Sequence, residues 1–203
     1  MKVGIGLPTT IPGVQRDQVL DWSRRADAAG FSTLGTLDRL IYPNWEPLVA
    51  LGAAAAVTVL ESSVYRASTK IVVGGMSDQA FRRAAESGDG WMLGGGSPQR
   101  FTELSEKLMA AWRERGREGE PRRLALTYFA LGDDPEGDTD RSIRDYYSST
   151  PDYADAIVAV TAKGDDAVRE RLGYFRGVGV DEVVMFPASA DPEQVDLLAR
   201  VAL

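Results

Sequence analysis

The amino-acid sequence predicts an α/β fold in which helices cover a parallel sheet. Short apolar strands alternate with amphipathic helical stretches about six times along the 203 residues, and this alternation favours parallel strands joined by helices. The strands are continuous apolar runs, which are typical of sheets buried on both faces. An open doubly wound sheet and a closed barrel both fit the pattern. An eight-unit barrel typically needs about 250 residues, so this chain is short for one.

The first third of the chain contains four predicted elements. They are, in order, a strand over 2–7, a helix over 16–29, a strand over 33–37 and a helix over 46–58. The first helix places Val19, Trp22 and Ala26 on one face at helical spacing. Gly30 then provides a natural C-terminal stop. Pro47 falls in the first turn of the second helix, where proline is tolerated.

The rest of the chain continues the alternation. The predicted elements are a strand over 71–73, a helix after Ser77, a strand over 91–93, a helix after Ser97, a strand over 124–131, two helices within 138–160, a helix over 166–176, a strand over 182–186 and a final helix from 191. Ser77 and Ser97 are expected N-caps. Pro151 is expected to separate the two helices within 138–160.

Composition excludes several classes of function. The chain has no cysteine, which excludes disulfides and thiolate metal sites. It also has no histidine, which excludes an imidazole base and disfavours a zinc site. The net charge of -7 disfavours nonspecific nucleic-acid binding. The apolar runs are too short to span a membrane, and the N-terminus lacks a signal-peptide pattern. We therefore expect a cytoplasmic protein with no metal, nucleic-acid or membrane partner.

Glycine-rich turns follow two consecutive predicted strands, and each turn leads into a helix. The turns contain Gly74, Gly75, Met76 and Ser77 in the first loop, and Gly94, Gly95, Gly96 and Ser97 in the second. Glycine lets backbone approach an anion closely, and a helix N-terminus presents free amides. Together the loops predict a phosphate clamp at the C-terminal edge of the sheet. The alternative is that the glycines only make tight turns, since neither loop matches a dinucleotide fingerprint or a Walker loop.

Polar and aromatic residues follow the second predicted strand, where barrel enzymes place catalytic groups. Asp38 and Arg39 are the candidate catalytic residues, as a polar pair that faces a cofactor or substrate. The alternative for this pair is a surface ion pair or a loop cap. Tyr42 and Trp45 are candidates for the wall of a substrate pocket, and the alternative is that they anchor the loop.

Several segments, taken in order, resemble the bacterial luciferase superfamily of flavin-dependent oxidoreductases. They are 3–8, 26–31 with 36–40, 46–58, 73–77, 80–85, 88–91 and 179–182. The resemblance implies a (β/α)8 TIM-type barrel that binds FMN or the deazaflavin coenzyme F420 at its C-terminal mouth. It places the cofactor phosphate near the two glycine loops. A single domain over 1–203, a small organic substrate and a homo-oligomer, most simply a dimer, are further expectations.

Two departures from the family bear on function. Arg39 stands where many members, especially deazaflavin-dependent ones, carry a histidine. A block of the third and fourth strands and helices is also missing near 59–70. This segment is a natural short crossover, an engineered join or the meeting point of pieces of a longer chain. The sequence thus predicts an incomplete barrel.

Three functions follow from this interpretation. The first is a luciferase-like oxidoreductase of the monooxygenase or reductase type. The second is a non-catalytic shortened barrel that binds a flavin or another phosphorylated ligand. The third is a remnant that is stable only as an oligomer and binds no ligand.

Overall fold

The computed structural model of this chain describes residues 1–58, 71–95 and 97–203. The strands are β1 (Lys2–Gly6), β2 (Leu34–Gly35), β3 (Val72–Gly74), β4 (Gly90–Gly94), β5 (Arg122–Ala130), β6 (Ala162–Lys163) and β7 (Glu182–Pro187). The helices are α1 (Arg16–Ala29), α2 (Pro47–Ala55), α3 (Asp78–Ser87), α4 (Pro98–Glu114), α5 (Pro135–Tyr146), α6 (Pro151–Val160), α7 (Asp165–Gly177) and α8 (Glu193–Ala202). The predicted join at 59–70 and the predicted phosphate-binding residue Gly96 lie outside the described residues.

The strands form one parallel sheet in the order β2-β1-β7-β5-β4-β3. The first and last strands are neighbours, with Ile5 opposite Met185, as in a barrel whose last strand pairs with its first. Each further neighbour in the order is the next βα unit of a barrel. Within the part of the chain that the structure describes, the sheet is therefore a barrel sheet in which no strand joins β2 to β3, the place where the sequence lacks a block. The prediction of an incomplete (β/α)8-type barrel is confirmed.

The two-residue strand β6 lies outside this order, and the sequence patterns do not predict it. The successive carbonyls of Phe129 and Ala130 accept the N–H groups of Ala188 and Gly164, both at 2.9 Å. Successive carbonyls of a strand point to opposite sides, so β6 and β7 flank β5 on opposite sides. β6 thus lies on the same side of β5 as β4, beyond the end of β4.

The outer face of the sheet packs against α1, α2, α3, α4, α7 and α8, which contribute the residues of the main hydrophobic core. An aromatic row crosses this core from α3 through β4 and α4 to α7. Its ring centroids are 5.7 Å apart for Phe81 and Trp91, 5.7 Å for Trp91 and Phe101, and 6.3 Å for Phe101 and Phe175. All four side chains are buried, so this row joins three helices to the sheet.

The inner face of the sheet is covered by α5 and α6. Leu126 and Tyr128 of β5 and Phe186 of β7 pack there with Ile143 of α5 and Ile157 of α6. The ring of Phe186 also lies against β1, because a Cβ added at Gly6 of β1 would stand 2.2 Å from that ring. Strand side chains fill this space in a complete barrel, whereas here two helices fill it.

A buried carboxylate joins strands at the opposite, N-terminal edge of the sheet. Glu182 is 1% exposed and forms an ion pair with Arg122. Its Oε1 atom also accepts hydrogen bonds from the hydroxyls of Ser32, at 2.7 Å, and Thr33, at 2.5 Å. This edge of a barrel serves stability rather than catalysis, so we assign Glu182 a structural role.

Most of the exposed large apolar side chains lie beside the open ends of the sheet. They are Leu40 and Ile41 after β2, Leu48 and Val49 on α2, and Ile71 and Met76 on either side of β3. No helix within 1–58, 71–95 and 97–203 is long and apolar enough to cross a membrane. The single domain, the homo-oligomer and the cytoplasmic location stay predictions.

Candidate functional site

Two glycine loops leave neighbouring strands at the C-terminal edge of the sheet, as the sequence predicts. β3 and β4 pair in parallel, with Val73 opposite Trp91, and each strand leads through its loop into a helix. The hydroxyl of Ser77 accepts the Ala80 N–H at 3.3 Å, and that of Ser97 accepts the N–H of residue 100 at 3.2 Å. Both serines are therefore the N-caps that the sequence predicts, and α3 and α4 both begin at this edge.

The loops have room for a ligand. A Cβ added at Gly74 or Gly94 would meet no atom of the described residues within 4 Å. Gly75 and Gly95 have φ values of +116° and +64°, which residues with a Cβ atom rarely adopt. The indole Nε1 of Trp91 donates to the Gly75 carbonyl at 2.6 Å and fixes the first loop. This open backbone beside two helix N-termini fits a phosphate group.

One carboxylate opposes an anion at the first loop. Asp78 is the first residue of α3, where a negative side chain competes for the positive end of the helix dipole. Lys107 of α4 lies 3.5 Å from this carboxylate and compensates its charge in part. The second loop leads into α4, whose first turn has no acidic residue. The electrostatics of the second loop therefore suit an anion better than those of the first loop.

Arg39 packs against the corner between α5 and α6. Its Nη1 donates to the Tyr146 carbonyl at 2.9 Å. The guanidinium carbon lies 5.5 Å from the centroid of the Tyr146 ring and 4.9 Å from that of Tyr147, within the range of cation–π contacts. Arg39 does not pair with Asp38, whose Oδ1 instead lies 3.3 Å from the Asn44 amide nitrogen. The surface ion pair considered for these two residues is therefore absent.

The two aromatic candidates occupy different places. The Tyr42 hydroxyl hydrogen-bonds the Asp145 carboxylate and lies 3.1 Å from the Thr10 carbonyl oxygen. Its ring meets that of Tyr146 edge to face at 4.9 Å. Trp45 is partly buried against the main core on the outer face. The structure thus places Tyr42 at the C-terminal mouth, while Trp45 anchors its loop.

A tyrosine cluster lines the mouth, and the sequence analysis does not identify it. The Tyr146 and Tyr147 rings are 4.8 Å apart, and those of Tyr147 and Tyr153 are 5.0 Å apart. The Tyr153 hydroxyl would lie 3.4 Å from a Cβ built on Gly95. The cluster therefore runs from the second glycine loop towards Arg39. The crowding of tyrosines between 128 and 153 is the sequence signal that could have indicated it.

Burial raises the pKa of the three tyrosines in this cluster and of the two that contact it, Tyr42 and Tyr128. It raises the pKa of Tyr146 to about 12 and that of Tyr128 well above its usual value. The pKa values of Tyr42, Tyr147 and Tyr153 also lie above the usual range, mainly because of burial. At neutral pH these phenols keep their protons, so they can donate hydrogen bonds to a ligand but cannot act as bases.

The cluster predicts a loss of stability in alkaline solution. Above about pH 10 the unfolded chain releases phenolic protons that the folded chain retains, so the free energy of unfolding falls as pH rises. The slope should approach about 1.4 kcal/mol per pH unit for each well-buried phenol, such as Tyr128 and Tyr146. Urea unfolding at about pH 9, 10 and 11 measures this slope. The variant Y128F should reduce it, and a stability that stays constant over this range would contradict the prediction.

A cavity of about 530 Å³ lies at the other edge of the sheet. Its lining comes from Asp89, Trp112, Arg117, Glu120, Pro121, Arg122 and Asp181. These residues lie at or near the beginnings of β4, β5 and β7, away from the glycine loops. Barrel enzymes have their active sites at the C-terminal ends of the strands and not at the N-terminal ends, so we do not assign this cavity a catalytic role.

Solved structures resemble this fold over nearly the whole chain. An F420-dependent secondary alcohol dehydrogenase in complex with an F420–acetone adduct matches with a TM-score of 0.72 at 12% identity, over 99% of this chain and 98% of that chain. The coenzyme F420-dependent tetrahydromethanopterin reductase from Methanopyrus kandleri matches with a TM-score of 0.69 at 12% identity, over 99% and 98%. Monooxygenase RslO1 from Streptomyces bottropensis gives 0.67 at 15% identity, over 100% and 98%. At these identities the likeness establishes the fold alone.

Sequence comparison identifies the family. No curated protein matches the chain. The family model described as luciferase-like monooxygenase matches residues 62–181, which is more than half of the 203 residues. The chain therefore belongs to the luciferase-like monooxygenase family, as its segments suggested.

Proposed function

We propose that this protein binds FMN or coenzyme F420 and is an oxidoreductase, of the monooxygenase or reductase type, that acts on a small organic substrate. The observation that carries the proposal is the pair of open glycine loops on the neighbouring strands β3 and β4. Family membership supports a redox function. Structures of similar fold include F420-dependent enzymes and a monooxygenase, which supports a flavin or deazaflavin.

In this proposal the loop backbones hold the cofactor phosphate. The open space at Gly74 and Gly94 lets phosphate oxygens approach the amides at the starts of α3 and α4. Ser77 and Ser97 cap their helices by accepting backbone N–H groups, which positions the loops and leaves each hydroxyl proton available to donate to the phosphate. Met76 is 41% exposed and can contact the cofactor from the side. The bound cofactor supplies the redox chemistry.

The remaining residues orient the ligand. The Arg39 guanidinium offers hydrogen-bond donors and no acceptor, so it attracts negative charge on a ligand. The Tyr153 and Tyr147 phenols provide hydrogen-bond donors and apolar ring surface along the mouth. Asp38 is exposed near Arg39, and it is the carboxylate we propose for a catalytic role beside the cofactor ring.

The variant Gly94→Asp tests the clamp. A carboxylate at this open position adds negative charge where the phosphate is proposed to bind, so affinity for FMN or F420 should fall at least about tenfold. Titration of the purified protein with each cofactor, followed by absorbance in the flavin and deazaflavin bands, measures this change. A thermal melt of the variant without cofactor should match that of the wild type, because a Cβ at position 94 meets no atom of the described residues within 4 Å.

Gly173→Asp is the matched control. Gly173 is an exposed helical glycine on α7, and a Cβ there also meets no atom within 4 Å. The substitution adds the same charge near the end of α7, at the N-terminal edge of the sheet, and should leave cofactor affinity unchanged. Equal losses in both variants, or no binding of either cofactor by the wild type at high micromolar concentration, would overturn the proposal.

A second candidate is a non-catalytic protein that binds the cofactor without turnover. The packed inner face favours it, since Phe186, Tyr128, Ile143 and Ile157 fill space that a substrate could otherwise enter. The absence of histidine in the chain points the same way. Reduction of the bound cofactor by NAD(P)H, or oxidation of its reduced form by added substrates, distinguishes the two candidates.

A further inference from the structure

The guanidinium of Arg39 is held at a fixed place in the mouth with part of its hydrogen-bonding capacity unused. Nη1 donates to the Tyr146 carbonyl at 2.9 Å. Nη2, by contrast, lies 3.5 Å from both the Ser149 and the Thr150 hydroxyl oxygens. Ordinary N–H···O bonds measure about 2.7–3.2 Å, so among the described residues Nη2 has two hydroxyls near it but no short partner.

The charge of Arg39 has no carboxylate partner among the residues that the structure describes. Other arginines of this acidic chain do find such partners: Arg25 pairs with Asp21 and Asp196, and Arg144 pairs with two aspartates as well. The nearest acidic neighbour in sequence, Asp38, faces Asn44 instead. Arg39 is therefore a positioned cation that no carboxylate within 1–58, 71–95 and 97–203 pairs with.

The two hydroxyls near Arg39 are also available to a ligand. Ser149 and Thr150 are exposed. Thr150 is the N-cap of α6, but its side chain makes no capping hydrogen bond, and its only other contact is a loose one of 3.4 Å to the Tyr147 carbonyl. An N-cap hydroxyl ordinarily satisfies a helix amide, so here the Thr150 hydroxyl is available to an anion. Asp152 in the first turn of α6 competes for the positive end of the helix dipole, so the subsite depends on Arg39 and the two hydroxyls rather than on the helix end.

We propose that Arg39, Ser149 and Thr150 form a subsite that binds a carboxylate or phosphate group of the substrate. An anionic oxygen placed between Nη2 and the two hydroxyls would replace long contacts by short, charge-assisted hydrogen bonds. Tyr147 and Tyr153 lie between this subsite and the Gly95 loop. This assignment rests on the proposed function, in which the glycine loops hold the phosphate of the cofactor and leave the subsite to the substrate.

Titration of ¹⁵N-labelled protein with inorganic phosphate and with benzoate, at constant ionic strength, tests the subsite. The amide signals of residues 149, 150, 152 and 153 and the Arg39 Nε–H signal should shift and saturate, residue 151 being a proline without an N–H. Arg39→Gln should weaken this binding about tenfold, and Arg39→Lys should weaken it less. The double variant Ser149→Ala/Thr150→Val keeps the charge and should also weaken it severalfold. Arg176→Gln removes an exposed charge at the opposite edge and should change nothing.

The same signals separate substrate binding from cofactor binding. In protein saturated with FMN or F420, benzoate should still shift residues 149–153. Loss of these shifts on cofactor binding would mean that the cofactor occupies the subsite and would overturn its assignment to substrate. Shifts confined to the two glycine loops, or equal affinity in wild type and both Arg39 variants, would overturn the subsite itself. Saturable shifts at 149–153 without any cofactor binding would support the anion site and overturn the proposed function.

Discussion

Replacement of Gly90 by alanine is expected to abolish stable folding. Gly90 begins β4 opposite Arg122 of β5, and a Cβ there would stand 2.1 Å from the backbone carbonyl oxygen of Arg122. A backbone atom in a paired strand cannot move aside as a flexible side chain can. We expect a loss of at least about 3 kcal/mol in the free energy of unfolding, because overpacking at a rigid contact breaks the pairing of the central strands.

Gly94→Ala is the matched control for this prediction. Gly94 ends the same strand, but a Cβ there would have no neighbour within 4 Å, so its stability should change by less than about 1 kcal/mol. Urea unfolding of wild type and both variants, followed by far-ultraviolet circular dichroism, measures the difference. A Gly90→Ala protein with the wild-type midpoint would show that β4 and β5 do not pair in this register.

The substitution Glu182→Ala should have a similarly large effect. The buried carboxylate pairs with Arg122 and accepts the hydroxyls of Ser32 and Thr33, so it joins β7, β5 and the segment that leads into β2. Removing one partner of a fully buried pair costs about 3–5 kcal/mol. The Arg122 side chain is 39% exposed and regains water, so we expect a loss of about 2–3 kcal/mol. Chemical denaturation measures this loss.

Exposed ion pairs provide the control for Glu182. Asp166 contacts Arg169 at 3.1 Å on the surface of α7, and the aspartate side chain is fully exposed. Asp166→Ala should therefore change stability by no more than about 0.5 kcal/mol. If the two alanine variants lost stability equally, the Glu182 carboxylate would contribute no more to stability than a surface charge does.

Local signals explain why much of the fold could be predicted from the sequence. The helix predicted over 16–29 is α1 without a shift at either end, because an apolar stripe and a terminal glycine mark it. The strand predicted over 33–37 is only Leu34–Gly35, because pairing with β1 rather than propensity sets its length. β6 has two residues, which are too few to produce a recognisable pattern.

The candidate site was predictable only where it is local in sequence. The glycine loops and their serine caps lie within single strand–helix turns, so the pattern of glycine and serine indicates them directly. The environment of Arg39 depends on residues 107 to 111 positions away, at 146–150. Such contacts arise from the packing of α5 and α6 on the inner face, which no short-range pattern encodes. For the same reason the sequence analysis does not single out Ser149 and Thr150 within the segment 138–160.

The two inner helices cover a face that strand side chains fill in a closed barrel. α5 and α6 pack on Leu126 and Tyr128 of β5 and on Phe186 of β7, whereas a complete barrel fills its interior with the side chains of its own strands. The depth to which a ligand can enter from the C-terminal edge is therefore limited by helices, and shortening the side chains of Ile143 or Ile157 would deepen this entrance without altering a strand.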